Sequence, residues 1–217
     1  MTFDRPAPGV VIAQPERAFR YGSDAMWLTG FALDSGTAAT ALDLGTGSGV
    51  VAMLLAAKGL DAVGIDLREE WEPHWVETLA RSAVRGRIQL RRTDVNDVGG
   101  EFDLVVSNPP FFAAGTGPVA PDAWKAAART ESTAPLAAFV AAVGRVLAPA
   151  GRACLIVPRE REPELRGEGL RATRIVRVGR RRSLVRLEWG TGPDAAAEAL
   201  SERDDEVLDW VRRATSG

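Results

Sequence analysis

Thr40-Ala41-Leu42-Asp43-Leu44-Gly45-Thr46-Gly47-Ser48-Gly49, running on through Val50-Val51-Ala52-Met53-Leu54-Leu55-Ala56-Ala57-Lys58 to Asp61-Ala62-Val63-Gly64-Ile65-Asp66, decides the fold. The short apolar run Thr40–Leu44 predicts a strand, the glycines a loop, and Val50–Lys58 a helix with Gly59 at its C′ position. Asp61–Asp66 predicts a second strand. A strand, loop, helix and strand of these lengths make a parallel βαβ unit. Outward from it, residues 71–85 predict a helix, Ile88–Arg91 a third strand and Phe102–Ser107 a fourth. Leu136–Leu147 predicts a helix ended by Pro149 and Gly151, and Ala153–Val157 a fifth strand. A broken helix follows from Glu160 to about Gly169. Thr173–Val178 and Leu184–Trp189 alternate in polarity and read as a hairpin joined by Gly179-Arg180-Arg181-Arg182-Ser183. Upstream, residues 1–14 are proline-rich and predict an irregular arm or short strand. A helix from about Ala25 to Asp34 follows, with Ser23 or Asp24 as its cap. The sum is an α/β chain with a doubly wound, mostly parallel sheet and an antiparallel strand from the closing hairpin. It reads as one domain over 1–217, with an arm and helix (1–38), a core (39–189) and an acidic tail (190–217). Within the tail, residues 204–213 carry acid first and base last, as a helix dipole favours.

Composition excludes several classes. The chain has 217 residues, 46% hydrophobic and 26% charged, ordinary values for a globular domain. No apolar run approaches the ~20 residues of a membrane span. The start, Met1-Thr2-Phe3-Asp4-Arg5-Pro6, has no basic, then apolar, signal pattern, so a cytoplasmic location is expected. The single cysteine, Cys154, excludes an intrachain disulfide and reads as core. The single histidine, His74, leaves no histidine cluster, so the expected chemistry uses no metal. The oligomeric state stays open, with a monomer as the default. Net charge is −2, but it is unevenly spread. Residues 166–186 hold eight arginines and one acid, 188–209 eight acids and one arginine, and 81–92 five arginines and no acid. Two readings stand: a basic face for a short piece of RNA, or solvated surface arginines.

The glycine loop lets backbone approach a ligand closely. The dinucleotide fingerprint needs its third glycine one position later, where Val50 stands. Asp43 before the loop suits a cationic, methionine-like amino group rather than a pyrophosphate. Asp66, 21 residues after Gly45, can accept both hydroxyls of a ribose. Asp94, after the third strand, can accept from an adenine amine. Together these point to S-adenosylmethionine at the carboxyl ends of the strands.

Asn108-Pro109-Pro110-Phe111 closes the fourth strand 63 residues after Gly45. The Asn108 oxygen and the Pro109 carbonyl can take both N–H bonds of a planar amine, and the Phe111 ring can lie on its π face. The prolines fix φ and remove competing donors. Gly115-Thr116-Gly117-Pro118 predicts a mobile, lid-like segment.

These motifs resemble the class I S-adenosylmethionine-dependent methyltransferases with an N-P-P-[FY] tetrad, over about Ala39 to Trp189. Within them the chain is most similar to the bacterial valine-tRNA adenine-N6 methyltransferase family. Tyr21-Gly22-Ser23-Asp24-Ala25, the tetrad followed by Phe112, and Ala128-Arg129-Thr130-Glu131 carry that likeness. The resemblance implies a seven-stranded sheet with one antiparallel strand. It also implies methyl transfer to an exocyclic amine, adenine N6 in tRNA above all. It assigns Asp43, Gly45, Thr46 and Gly47 to the methionine end, Asp66 and Leu67 to the ribose, and Asp94 and Val95 to the adenine. Asn108 borders both ligands, with Pro109, Pro110 and Phe111 around the target. Tyr21 and Asp24 close over the cofactor. Candidate RNA contacts are Arg129 and, from the charge pattern rather than from any family motif, Arg180, Arg181 and Arg182. Ribosomal RNA and a release-factor glutamine are alternative substrates. The glutamine enzymes carry a helical domain before the loop, for which a loop at Gly45 leaves no room. Sequence-specific DNA methylation, which needs a recognition domain, and a silent scaffold are the remaining alternatives.

Overall fold

The computed structural model describes residues 1–16, 20–84, 87–110, 135–167 and 169–216. Chain order gives β1 (Thr2–Ala7), β2 (Val10–Gln14), α1 (Ser23–Asp34), β3 (Thr40–Leu44), α2 (Val50–Ala57), β4 (Asp61–Asp66), α3 (Glu72–Arg81) and β5 (Ile88–Arg92). Then come β6 (Phe102–Ser107), α4 (Leu136–Val146), β7 (Leu147–Pro158), β8 (Leu170–Val178), β9 (Arg182–Trp189), β10 (Ala197–Leu200) and α5 (Asp205–Thr215). Short 3₁₀ turns precede α3 and follow β7. No helix among the described residues is long and apolar enough to cross a membrane.

The main sheet has eight strands in the order β10-β8-β9-β7-β6-β3-β4-β5. Only β9 runs against the others, pairing antiparallel with β7 and β8. The doubly wound expectation stands, with eight strands in place of seven. The extra strand, β10, pairs parallel with β8 from Ala197↔Ile175 to Leu200↔Val178. Its sequence, Ala197-Glu198-Ala199-Leu200, is largely exposed, so its extended form comes from that pairing rather than from burial.

Helices cover both faces, which is why the central strands read as unbroken apolar runs. Leu104, Val106, Cys154 and Ile156 face a core shared with α1, α2 and α5. Val105, Ala153, Leu155 and Val157 face the opposite core, beneath α4. Alternate residues of one strand thus serve two cores, each fully buried aliphatic contributing about 1.5–3 kcal/mol.

The N-terminal residues form a hairpin, β1–β2, rather than an irregular arm. It docks on α3 through hydroxyls: Val11 and Ala13 N–H donate to Ser82 Oγ (3.0 Å) and Thr78 Oγ1 (2.9 Å). Ser82 also donates back to the Val11 carbonyl at 3.1 Å. This contact holds Ser82 in extended backbone, which ends α3 at Arg81, short of the predicted end at residue 85. The α1 cap also differs from expectation. Gly22 is the N-cap with no side-chain bond, and Ser23 and Asp24 lie inside the helix.

The uneven charge is largely self-complementary. Arg174 pairs with Asp34, Glu198 and Glu206, drawing α1, β10 and α5 together. Its guanidinium also lies over Phe31 and Trp210, whose rings meet edge to face at 5.3 Å. Arg166 pairs with Asp194, Arg177 with Glu162 and Arg186 with Glu188. Acids of the tail (Asp194, Glu198 and Glu206) together with Asp34, Glu162 and Glu188 from elsewhere thus counter several arginines of the block within the molecule.

Gly30 sets how closely α5 seats on α1. A Cβ there would lie 2.1 Å from the Trp210 carbonyl oxygen and 2.3 Å from its Cα. Backbone cannot swing aside, so Gly30→Ala is expected to unseat α5. The overpacking cost is about 1–3 kcal/mol, or about 2–4 °C in Tm for each kcal/mol in a chain of this size. Thermal unfolding checks it; an unchanged Tm would contradict the seating of α5 described above.

Candidate functional site

The chain winds outward from β3 to β4 and β5, then returns to add β6 and β7 on the other side. The sheet order therefore reverses between β3 and β6, and α/β folds bind ligands at such a point, beyond the carboxyl ends of the strands. Parallel pairing sets Leu44 opposite Ser107. Ser107 Oγ donates to the Leu44 carbonyl at 2.8 Å, fastening the two strand ends where the glycine loop and Asn108 begin. At the other end of the pair, Asp103 accepts from the Ala39 and Thr40 N–H groups at 2.9 and 3.0 Å.

Gly45 and Gly47 turn the loop with φ of +72° and +54°, values that disfavour any side chain. The loop is rigidly held. Thr46 N–H donates to the Ile65 carbonyl (2.8 Å) and Trp75 Nε1 to the Gly47 carbonyl (2.8 Å). Thr46 Oγ1 donates to Asp43 at 2.5 Å. Asp43 is buried, and that burial pushes its carboxyl from 3.8 up to about 7, against hydrogen bonds from Thr46 and the Ala52 backbone. The neighbouring Asp66 charge raises it further. The fold thus favours protonated Asp43, and stability falls as pH rises from about 4 to about 7. A cation against this carboxyl would favour its ionised form.

A cavity of about 640 Å³ opens over the loop. That size suits a nucleoside-containing cofactor together with part of a second ligand. Every described residue that the sequence assigned to the site lines it. Asp43, Gly45, Thr46 and Gly47 come from the β3–α2 turn, Asp66 and Leu67 from the end of β4, Asp94 and Val95 from beyond β5. Asn108, Pro109 and Pro110 come from the end of β6. Phe111, Phe112, the segment around Gly115 and the Ala128–Glu131 stretch with Arg129 lie outside the described residues.

Asn108 Oδ1 is buried with no hydrogen-bond partner among the described residues. A buried acceptor left unpaired costs about 1–3 kcal/mol, and this one stands on the cavity wall where a ligand N–H would satisfy it. Asp94 Oδ1 accepts from the Asn96 backbone and side-chain N–H groups at 2.8 and 2.9 Å, which sets the carboxyl in a fixed turn. Arg145 secures the same segment by donating to the Val95 carbonyl at 2.7 Å.

Tyr21 and Asp24 enter from α1 and the segment before it. Gln14 of β2 accepts the Tyr21 N–H at 3.0 Å, so the hairpin holds Tyr21 over the cavity. Burial pushes the Tyr21 phenol up to about 12. Asp24 and Arg182, read from sequence as separate contacts to cofactor and RNA, pair with each other at 2.8 Å and tie α1 to β9. Arg180 and Arg181 sit at the cavity wall in the β8–β9 turn, with Arg181 linked to Arg159 by a backbone bond of 3.0 Å.

Arg68, Trp71 and Phe139 are among the wall residues that the sequence reading did not assign. Arg68 follows Asp66 by two positions and lies over the Trp71 ring, 5.3 Å from its centroid. Proximity to Asp66 was the available signal for this pair. Phe139 arrives from α4 and its ring would stand 3.1 Å from a Cβ at Gly45. Only the sheet order brings α4 to the loop, so no local pattern marks Phe139.

The sequence profile described as methyltransferase small domain matches residues 23–163. A tRNA1(Val) (adenine(37)-N6)-methyltransferase of Porphyromonas gingivalis is 34% identical over 167 residues, covering 71% of this chain and 65% of that protein. The chain thus spans just under two thirds of that relative's length. A protein of the same name from Tolumonas auensis is 30% identical over 204 residues, covering 90% of this chain and 82% of its own. In fold, the chain is similar to ribosomal protein L11 methylase from Lactobacillus delbrueckii, with a TM-score of 0.58 and 20% identity over 82% of this chain and 84% of that one. The match of residues 23–163, on a doubly wound sheet with a glycine loop at its switch point, places this chain in the methyltransferase small domain family.

Proposed function

We propose that this protein transfers a methyl group from S-adenosylmethionine to an exocyclic amine, the N6 of an adenine in tRNA. The observation that carries the reading is the buried, unpartnered Asn108 Oδ1 beside the Gly45–Gly49 loop. The relatives named for tRNA adenine-N6 methylation direct the choice of amine and of RNA. A cytoplasmic location follows from that substrate.

The residues present fit the cofactor. Asp43 would hold its amino group, Asp66 the ribose hydroxyls and Asp94 the adenine edge. Bound there, S-adenosylmethionine supplies a methyl group already activated on a sulfonium. The protein's task is then position and electrostatics. An aromatic amine is a poor nucleophile because its lone pair is delocalised into the ring. Asn108 Oδ1 and the Pro109 carbonyl would accept its two N–H bonds, orient the lone pair and stabilise the positive charge that develops on nitrogen. The base must leave its stack to reach them, and Phe111 is the residue to receive it. Stacking on an aromatic side chain is worth ~1–3 kcal/mol per base.

RNA is gripped by charges that the fold leaves uncommitted. Arg182 is held by Asp24, whereas Arg159, Arg180 and Arg181 form no ion pair among the described residues. They stand together where the β8–β9 turn meets the end of β7.

Asn108→Ala is expected to lower turnover by at least about 100-fold, the scale of a lost transition-state contact. S-adenosylmethionine affinity, followed by calorimetry, should stay within a few-fold of wild type. A variant that keeps most of its turnover contradicts the mechanism. The double substitution Arg180→Ala, Arg181→Ala is expected to weaken RNA binding uniformly across sequences. It should flatten the slope of log K against log salt by about 0.7–0.9 per charge removed; an unchanged slope removes both from the RNA surface.

A further inference from the structure

The Asp66 carboxylate is already full. Its Oδ1 accepts from the Arg68 backbone N–H at 3.0 Å and from Arg68 Nε at 3.1 Å. Its Oδ2 accepts from the Gly47 N–H at 3.0 Å and from Arg68 Nη2 at 3.2 Å. A carboxylate offers about four lone-pair sites, and each oxygen here serves two donors. Two of the four bonds come from backbone that the loop and the strand end hold in place. The other two come from one flexible side chain. A ribose diol needs two acceptors at this carboxylate, and only the Arg68 guanidinium can yield them without rearranging backbone.

The guanidinium is also incompletely satisfied where it lies. Arg68 Nη1 is buried with no hydrogen-bond partner among the described residues. Its compensation is the Trp71 face, and the ion pair keeps Asp66, itself only 7% exposed, from standing as an unpaired buried charge. Arg68 and Trp71 both line the cavity that holds Asn108.

From this arrangement we infer that Arg68 is an internal plug of the nucleoside subsite: its guanidinium occupies Asp66 in place of a ribose diol and must swing out before a nucleoside cofactor can seat. The inference rests on the proposed S-adenosylmethionine reading. It assigns Arg68 a positioning role that sets apparent affinity. Binding is reduced by the fraction of molecules in which the plug is open.

The test uses two neutral probes, adenosine and 2′,3′-dideoxyadenosine, with S-adenosylmethionine beside them, on the wild-type chain and on Arg68→Met and Arg68→Lys. Neutral probes leave Asp43 out of the comparison. Arg68→Met is expected to bind adenosine about tenfold more tightly than wild type, corresponding to a plug open in about one molecule in ten. The affinity for 2′,3′-dideoxyadenosine, which lacks the hydroxyls that compete for Asp66, should not change. Without ligand, Arg68→Met should melt at a lower temperature than wild type, because Asp66 loses its partner, and adenosine should restore more of its Tm. Arg68→Lys, with one point of contact in place of a fork, should fall between the two. Weaker or unchanged adenosine binding in a folded Arg68→Met, or an equal gain for the dideoxy probe, overturns the plug while leaving the cofactor reading intact. Failure of wild type and both variants to bind S-adenosylmethionine or adenosine overturns the cofactor reading and the plug with it.

Discussion

The parallel pairing of β3 with β6 is the constraint on which the site depends. Gly45 and Asn108 are 63 residues apart in the chain. They meet because Leu44 and Ser107 are in register, and the Ser107 hydroxyl closes that end of the ladder on the Leu44 carbonyl. The two strands are neighbours only because the chain reverses its direction of winding between them. The residues proposed to carry the chemistry stand one step beyond that seam, Gly45 after one strand and Asn108 after the other. A slip of one residue in the pairing would turn the buried side chains of β6 to the opposite face. The apolar alternation of Leu104, Val105 and Val106 between two filled cores makes such a slip costly. Precision at the site is therefore underwritten by packing well away from it.

Charge is arranged on the same principle of internal commitment. The arginine-rich stretch 166–186 and the acidic stretch 188–209 look like two surfaces when read along the chain. In space they partly close on each other: Arg174 reaches Glu198 and Glu206, Arg166 reaches Asp194 and Arg186 reaches Glu188, while Asp34 and Glu162, from outside the acidic stretch, also hold Arg174 and Arg177. The reading of solvated surface arginines is thus replaced, for most of them, by internal ion pairs. Most are structural, and Arg180 and Arg181 at the cavity rim form no ion pair among the described residues. The Asp24–Arg182 pair shows why a basic triplet in sequence need not act as a triplet in space.

The strands that build the site were legible because their signal is local. Thr40–Leu44, Asp61–Asp66 and Phe102–Ser107 have the bounds that their apolar runs imply. What was not legible is held by distant partners. Ala197–Leu200 has no strand composition and is extended by pairing with β8. The N-terminal hairpin is stabilised by hydroxyls of α3, 65 and 71 residues away. In the site, the carboxylates and the Asn108 tetrad could be read because strand ends and glycine loops announce them. Arg68 offered only its closeness to Asp66 in the chain, and Phe139 no local signal at all, since their importance lies in what they approach: the Asp66 oxygens and the Gly45 backbone.

The central claim is that the cavity beside Asn108 methylates an exocyclic adenine amine in tRNA. It is tested most directly by incubating the protein with labelled S-adenosylmethionine and separate pools of unmodified tRNA, ribosomal RNA and release factor, then identifying any labelled nucleoside by mass spectrometry. The account predicts label in tRNA alone, as N6-methyladenosine. Label in the release factor or in ribosomal RNA instead, or no label in any pool, would contradict it.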